Sequence, residues 1–179
     1  MRPEPGQLLH FSEDPGIRTF VPHVAATAQQ PEPYVWAVDT HHAPSYWFPR
    51  QCPRALAWTT PSTTTDDRAR ILGPGDAPSQ RVHAVEYAWL EAIRTTKLYA
   101  YRFAATNFRP FDDDAHAFVC DHEVRPLGPA EPVGDLLTLH EIAGIQLRVL
   151  PTLWTFWDAV TASTLGFSGI RLRNARARG

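Results

Sequence analysis

The side chains best suited to chemistry are concentrated near the start of the chain. His10 and Ser12 stand two positions apart in an alternating segment, so they would share one face of a strand. Residues 34–50 then place two adjacent histidines, Tyr46 and Arg50 close together. Histidine exchanges protons near neutral pH, and arginine binds anions such as phosphate. These residue types indicate a polar pocket for a small molecule or a nucleotide.

A carboxylate that could complete such a site is Glu86, at the junction of a predicted strand and a predicted helix. Each candidate also has an ordinary structural interpretation. Glu86 could cap the helix that begins beside it, His10 could be satisfied by the backbone, and Arg50, like Arg54, could be a surface charge. His42 and Tyr46, four positions apart, would share a face if residues 43–48 are helical.

No metal site is predicted. His41 and His42 are adjacent and must point in different directions, and Cys52 and Cys120 lie too far apart in sequence for a typical metal-ligand spacing. The run of three aspartates in residues 112–114 lacks the glycine and the final glutamate of a calcium loop, which favours a solvated turn. The two cysteines are expected to be buried free thiols.

The elements that must position these side chains are short. Alternation and apolar runs predict strands, whereas helical spacing of apolar residues and capping signals predict helices. The predicted strands cover residues 7–12, 34–38, 55–59, 81–85, 96–103, 117–120, 123–126, 145–150 and 166–172, and the predicted helices cover residues 43–48, 86–94, 134–143 and 153–164. This pattern predicts an α+β fold, with a mainly antiparallel, split or curved sheet and short helices packed on it.

Composition places the chain among ordinary globular proteins. It has 179 residues, of which 44% are hydrophobic and 20% charged, so we predict a single domain over residues 1–179. Residues 1–6 and about 173–179 are predicted to be frayed, and residues 60–80 to form a loop. The net charge of −2 makes nucleic acid an unlikely partner without excluding it. Without a signal peptide or an apolar run that could span a membrane, a cytoplasmic location is expected, and the oligomeric state stays open.

Two sets of motifs resemble known families. The blocks HFSE, VWA, FPR-x-CPR, EYAW and TKLY resemble a bacterial family of unknown function. The segments 8–12 and 17–22, the strand 35–39 with Ala43 and Tyr46, and the late segment 118–126 resemble ADP-ribosyltransferase-like domains. The second resemblance implies NAD as the ligand, and an enzyme of that kind would be a glycosyl (ADP-ribosyl) transferase.

The resemblance to ADP-ribosyltransferases also implies roles for individual residues. Its catalytic set would be His10, Tyr46 and Glu86, and its NAD-binding set would be Phe11, Ser12, Trp36, Ala37, His42 and Arg50. Trp36, Ala37 and Tyr46 would line the nicotinamide pocket. The family's glutamate before the late strand is replaced by Ala117, and Glu86 is the candidate to supply the missing carboxylate.

Three functions therefore remain open from the sequence. The first is an ADP-ribosyltransferase-like domain that binds NAD or a related nucleotide and transfers or hydrolyses ADP-ribose. The second is an inactive nucleotide-binding module with the same fold. The third is a tailoring or hydrolytic enzyme in which His10, His42 and Tyr46 act as acid–base groups.

Overall fold

The computed structural model describes residues 1–24, 31–74, 79–111 and 117–178. Its contacts divide the chain into two compact units, one formed by Met1–Trp47 with Lys97–Gly134 and the other by Phe48–Thr96 with Asp135–Gly179. The predicted α+β class is confirmed, because short strands in open sheets and short α-helices account for the regular structure of the described residues. The predicted aspartate turn at residues 112–114 lies outside the described residues.

The first unit contains two three-stranded antiparallel sheets. In the first sheet β1 pairs with β5, which pairs with β8, and in the second β2 pairs with β7, which pairs with β6. The strands are β1 Gln7–Ser12, β2 Val35–Ala37, β5 Tyr99–Ala104, β6 Arg109–Pro110, β7 Phe118–Cys120 and β8 Glu131–Pro132. The described residues of this unit also include the 3-10 helices Ala43–Tyr46 and Ala105–Asn107.

One side of these sheets buries a common apolar core. Its residues come from alternate positions of the strands and from the two short segments that bridge to each other at Phe20 and Val124. The core residues are Leu8, Phe20, Val35, Ala37, Tyr101, Phe103, Cys120 and Val124. Because strand side chains alternate, Leu9 and Phe11 on β1 and Trp36 on β2 are directed to the opposite side.

The second unit is built on a four-stranded sheet in the order β10-β3-β4-β9, in which β4 and β9 are parallel and the other pairs antiparallel. The strands are β3 Arg54–Trp58, β4 Arg81–Glu86, β9 Gln146–Leu150 and β10 Gly166–Ile170. The α-helices are α1 Thr65–Leu72, α2 Leu90–Thr95, α3 Leu136–Ile142 and α4 Trp154–Thr161, and the 3-10 helices are Tyr87–Trp89 and Leu172–Asn174. Gly144, with a φ of 64°, follows α3 in the left-handed region that ends many helices.

Two sequence predictions are wrong in this unit. The segment predicted as a loop, residues 60–80, contains α1, whose first turn is capped by the Thr64 hydroxyl accepting from the Asp67 N–H. Residues 173–178, which the sequence predicts to be frayed, are instead held in place. The Arg178 guanidinium makes two hydrogen bonds to the Asp158 carboxylate, at 2.7 and 3.1 Å, and lies over the Trp154 ring.

Candidate functional site

Strands β1 and β2 form a fork in the first unit. They are joined by one bridge, in which the Leu9 N–H donates to the Val38 carbonyl at 2.9 Å and the Val38 N–H donates to the Leu9 carbonyl at 2.8 Å. In the part of the chain that the structure describes, the two strands share no further ladder. In an antiparallel pair, the N–H and C=O groups of every second residue point to the same neighbouring strand. Phe11 is two positions from Leu9 and Trp36 is two positions from Val38, so the N–H and C=O groups of Phe11 and Trp36 are directed into the fork.

His10 spans this fork. Its Nδ1 lies 2.8 Å from the Trp36 carbonyl oxygen. Because a carbonyl only accepts hydrogen bonds, Nδ1 must carry the proton, and in the neutral ring Nε2 then carries the lone pair. The imidazole also packs edge-on against Phe20, with ring centroids 4.9 Å apart. The Trp36 carbonyl has no partner strand at the open fork, and His10 supplies the hydrogen bond that a ladder would have given it. The bond to Trp36 and the contact with Phe20 together fix the orientation of the imidazole ring.

A cavity of about 70 Å³ lies at the fork. Its wall is mainly apolar and aromatic, with polar groups from one imidazole and one phenol, and it comprises Leu9, His10, Phe11, Trp36, Ala37, Val38, Tyr46 and Ala117. Pockets that enclose a whole drug-sized ligand are about 300–1,000 Å³. The cavity is therefore the size of a single small ring or head group rather than of a complete dinucleotide.

The structure brings five of the predicted site residues together and places two others of the first unit elsewhere. The five that line the cavity are His10, Phe11, Trp36, Ala37 and Tyr46. Ser12 is buried, and its hydroxyl accepts from the Asp14 N–H at 3.1 Å, which stabilises the turn after β1. His42 is not among the lining residues, and its Nδ1 donates to Asp39 at 2.8 Å.

Asp39 fixes the backbone that leads to Tyr46. One of its carboxylate oxygens accepts from both the N–H and the ring Nδ1 of His42, each at 2.8 Å. Burial raises the pKa of Asp39, but these hydrogen bonds outweigh burial and hold it below its ordinary value. The turn closed by Asp39 leads directly into the short 3-10 helix that ends at Tyr46.

Glu86 and Arg50 belong to the second unit, and neither is among the residues that line the cavity. Glu86 is 4% exposed, and its carboxylate accepts from the Arg176 N–H at 3.0 and 3.1 Å and from the Leu153 N–H at 3.3 Å. These bonds give Glu86 a structural role at the end of β4. Arg50 is exposed, and its carbonyl accepts from the Arg171 side chain at 3.3 Å.

Sequence reasoning missed two apolar residues of the cavity wall, Leu9 and Val38. Leu9 and Val38 form the bridge at the closed end of the fork, and no local pattern marks that contact across 29 positions of sequence. Ala117 was singled out as the position where the ADP-ribosyltransferase resemblance expects a glutamate, and it does line the cavity. Thus, among the lining residues that the structure describes, none carries a carboxylate.

The second unit contains a buried histidine pair that sequence reasoning also missed. His140 Nδ1 donates to the Leu136 carbonyl at 2.6 Å, so its Nε2 accepts from His83 Nδ1 at 3.0 Å. The exposed fractions are 0% for His83 and 1% for His140. Burial lowers the pKa of both rings, and the cations of Arg54 and Arg81 lower it further, while the Leu136 bond partly offsets this at His140.

The described residues also bear on three further features, namely metal sites, reactive cysteines and membrane-spanning helices. They contain no group of three or more histidine, cysteine, aspartate or glutamate side chains placed to hold a metal ion. Cys52 and Cys120 are both buried free thiols, and burial raises the pKa of Cys52 to about 12. None of the described helices has the length and apolar character that a membrane crossing requires.

Comparison with known proteins identifies a family. Residues 9–175 match the model of DUF6886, a family of unknown function. Because the match covers most of the chain, the protein belongs to that family, which confirms the predicted resemblance of its sequence blocks to a family of unknown function. No curated protein matches the chain, and no solved structure matches it.

Proposed function

We propose that this chain is an ADP-ribosyltransferase-like domain that binds NAD, with the nicotinamide ring in the fork between β1 and β2. The observation that carries the proposal is the pair of Phe11 main-chain groups directed into the fork. An N–H and a C=O on one residue match the carbonyl and the NH₂ of a primary carboxamide. The two hydrogen bonds would fix both the position and the orientation of the amide.

The shape and wall of the cavity support the same ligand. The volume of about 70 Å³ suits a single flat ring, and the side chains of Phe11, Trp36 and Tyr46 supply aromatic surface for it. His10 lines the cavity with its ring orientation fixed by Trp36. Its Nε2, the basic nitrogen of the neutral ring, is suited to accept a hydrogen bond from a ribose hydroxyl.

The chemistry of the wall favours binding over consumption of NAD. Cleavage of the glycosidic bond develops positive charge on the ribose, which a nearby carboxylate stabilises. Ala117 occupies the position where the resemblance expects that carboxylate, and Glu86 accepts three hydrogen bonds from the main chain of the second unit. The proposed function is therefore recognition of NAD rather than transfer of ADP-ribose.

Calorimetric titration with two dinucleotides tests the proposal. NAD is compared with its nicotinic acid analogue, which replaces the carboxamide NH₂ with a carboxylate oxygen. We expect the analogue to bind at least about tenfold more weakly, because it loses a donor to the Phe11 carbonyl and places a negative charge beside it. Equal affinity for the two, or no binding of NAD, would reject the carboxamide site.

Release of free nicotinamide, followed by chromatography, separates binding from catalysis. We expect NAD to remain intact over hours under saturating conditions. If nicotinamide is released, the domain is an enzyme, and Glu86→Gln then tests the carboxylate that the sequence suggested. Loss of turnover in that variant, with unchanged unfolding, would assign the reaction to Glu86.

A further inference from the structure

The aromatic surface of the first unit does not end at the cavity. Trp36 shares a face of the β2-β7-β6 sheet with Tyr34, Arg109 and Phe111. In the strand register Trp36 lies opposite Val119, which lies opposite Arg109, and residues opposite each other project from the same side of a sheet. Tyr34 and Phe111 stand two positions from Trp36 and Arg109, and so project from that side as well.

These side chains form one continuous cluster, which we call the aromatic strip: Tyr34, Trp36, Arg109 and Phe111. The ring centroids of Trp36 and Phe111 are 4.7 Å apart, and Tyr34 lies 6.1 Å from Trp36 and 6.2 Å from Phe111. The three rings are half-buried. They meet at steep interplanar angles of 54–86°, so they do not stack face to face on one another.

Arg109 adds a cation to the strip. Its guanidinium carbon lies 5.4 Å from the centre of the Tyr34 ring, and one of its nitrogens donates to the Tyr34 hydroxyl at 3.1 Å. Arg109 is exposed, and the guanidinium plane is itself a surface on which bases stack. The hydrogen bond to His122 at 3.0 Å lowers the pKa of the exposed Asp121 carboxyl, and the charge of Arg109 lowers it further, so Asp121 offsets part of the Arg109 charge. The strip therefore offers aromatic surface and a positive charge together.

Trp36 connects the strip to the cavity, because it belongs to both. We infer that the aromatic strip is a second subsite, which takes the adenosine half of the same dinucleotide. This inference rests on the proposed function, since it assumes that the nicotinamide half occupies the fork. The purine would stack on the strip, and Arg109 would lie where it can contact a phosphate.

A sheet with exposed aromatic side chains can also bind single-stranded nucleic acid. Such a surface needs a positively charged groove along which the phosphates run. Arg109 is the cation that the strip itself contributes, and the whole chain carries a net charge of −2. The strip is thus matched to one base and its phosphates.

The test compares NAD with nicotinamide mononucleotide, which lacks the adenosine half, by calorimetry. We expect NAD to bind at least about tenfold more tightly. Tyr34→Ala is expected to remove that difference by weakening NAD while leaving the mononucleotide unchanged. Tyr34→Phe keeps the ring and should keep most of the difference. Tyr99→Ala, the same deletion on β5 in the other sheet of this unit, is the matched control and should change neither affinity.

The outcomes separate the two proposals. If the mononucleotide binds as tightly as NAD, or if Tyr34→Ala affects both ligands equally, the second subsite is wrong and the fork site stands. If neither ligand binds, the proposed function fails, and the second subsite fails with it. Tighter binding of a short single-stranded oligonucleotide than of NAD, dependent on Tyr34, would also overturn the assignment of the strip to a dinucleotide.

Discussion

His10 in the first unit and the His83–His140 pair in the second place the same kind of ring in opposite settings. In each case an Nδ1–H donates to a main-chain carbonyl, of Trp36 for His10 and of Leu136 for His140. His10, however, lines a cavity, whereas the pair is closed to solvent. A fixed tautomer alone therefore does not mark a site, because the same kind of hydrogen bond is made by a ring that lines a cavity in one unit and by a ring buried in the packing of the other.

The largest expected effect comes from His83→Ala. Deleting a fully buried ring leaves a cavity and removes the hydrogen bond to His140, so we expect the free energy of unfolding to fall by about 3 kcal/mol. Chemical denaturation followed by tryptophan fluorescence measures the change. His23→Ala, an exposed histidine of the first unit, is the control and should change stability by less than about 0.5 kcal/mol. A loss below about 1 kcal/mol at His83 would mean that the pair is not a packing element.

Lowering the pH should lower the free energy of unfolding through the buried His83–His140 pair. The folded-state pKa of both rings is lowered, so below their ordinary pKa of 6.5 the unfolded chain binds protons that the folded chain does not. Stability is therefore full above pH 6.5 and falls as the pH decreases below it. A ring that stays neutral in the folded chain contributes at most about 1.4 kcal/mol per pH unit below pH 6.5, so we expect a measurable loss of stability between pH 7.5 and 5.5.

Replacing both rings of the pair with leucine should abolish this slope, whereas His10→Phe should leave it in place. Hydrogen bonds from Thr138 lower the pKa of Asp135, so its contribution to folding stability is lost only below its ordinary pKa of 3.8. Asp135 therefore does not affect stability between pH 7.5 and 5.5. A stability that stays constant between pH 7.5 and 5.5, or a slope that survives the double replacement, would contradict the assignment.

His10→Phe should separate binding from stability in the first unit. Phenylalanine keeps the edge-on contact with Phe20 but cannot donate to Trp36, so the fork loses the bond that fixes its width. We expect NAD affinity to fall about tenfold, which corresponds to about 1.4 kcal/mol, with a smaller effect on unfolding. Tyr99→Ala, on β5 in the other sheet of this unit, is again the control for affinity. If His10→Phe lowers the free energy of unfolding much more than it lowers NAD affinity, His10 is a packing residue like the His83–His140 pair.

The smallest effect is expected at Asp39, which supports the site through His42. Asp39→Ala removes the acceptor of two hydrogen bonds and should cost about 1 kcal/mol in thermal or chemical unfolding. Asp39→Asn keeps an acceptor oxygen, so we expect it to cost less than half as much. Equal losses in the two variants would show that the charge of Asp39, and not its hydrogen bonding, holds the turn.

Local signals explain which elements could be predicted from the sequence. Strand β1 has the predicted bounds, residues 7–12, because its alternation is followed by an unambiguous turn. Helix α1 was missed because it buries little beyond Ile71 and Leu72 and lies in a threonine- and proline-rich segment. The capping pair Thr64 and Asp67 was visible in the sequence and marks its start.

Contacts between distant positions explain what could not be predicted. Five of the nine predicted site residues line one cavity, because β1 and β2 meet at the Leu9–Val38 bridge, which no local pattern marks. The bond between His83 and His140 joins positions 57 apart, and nothing in either local segment indicates it. Likewise, the main-chain groups that bond to Glu86 lie 67 and 90 positions away in the sequence. The local sequence therefore predicts only a helix cap at Glu86 and not these distant hydrogen bonds.

The fork has a consequence for the open strand edges on either side of it. A strand edge with open main-chain groups is a template to which another chain can add, and natural proteins protect such edges. Here the edge is short, and the imidazole of His10 occupies the Trp36 carbonyl, so an incoming strand finds the ladder already interrupted. The side chain that lines the cavity would thus also hinder the pairing of a foreign β-strand, and a variant without it is expected to aggregate sooner in concentrated solution.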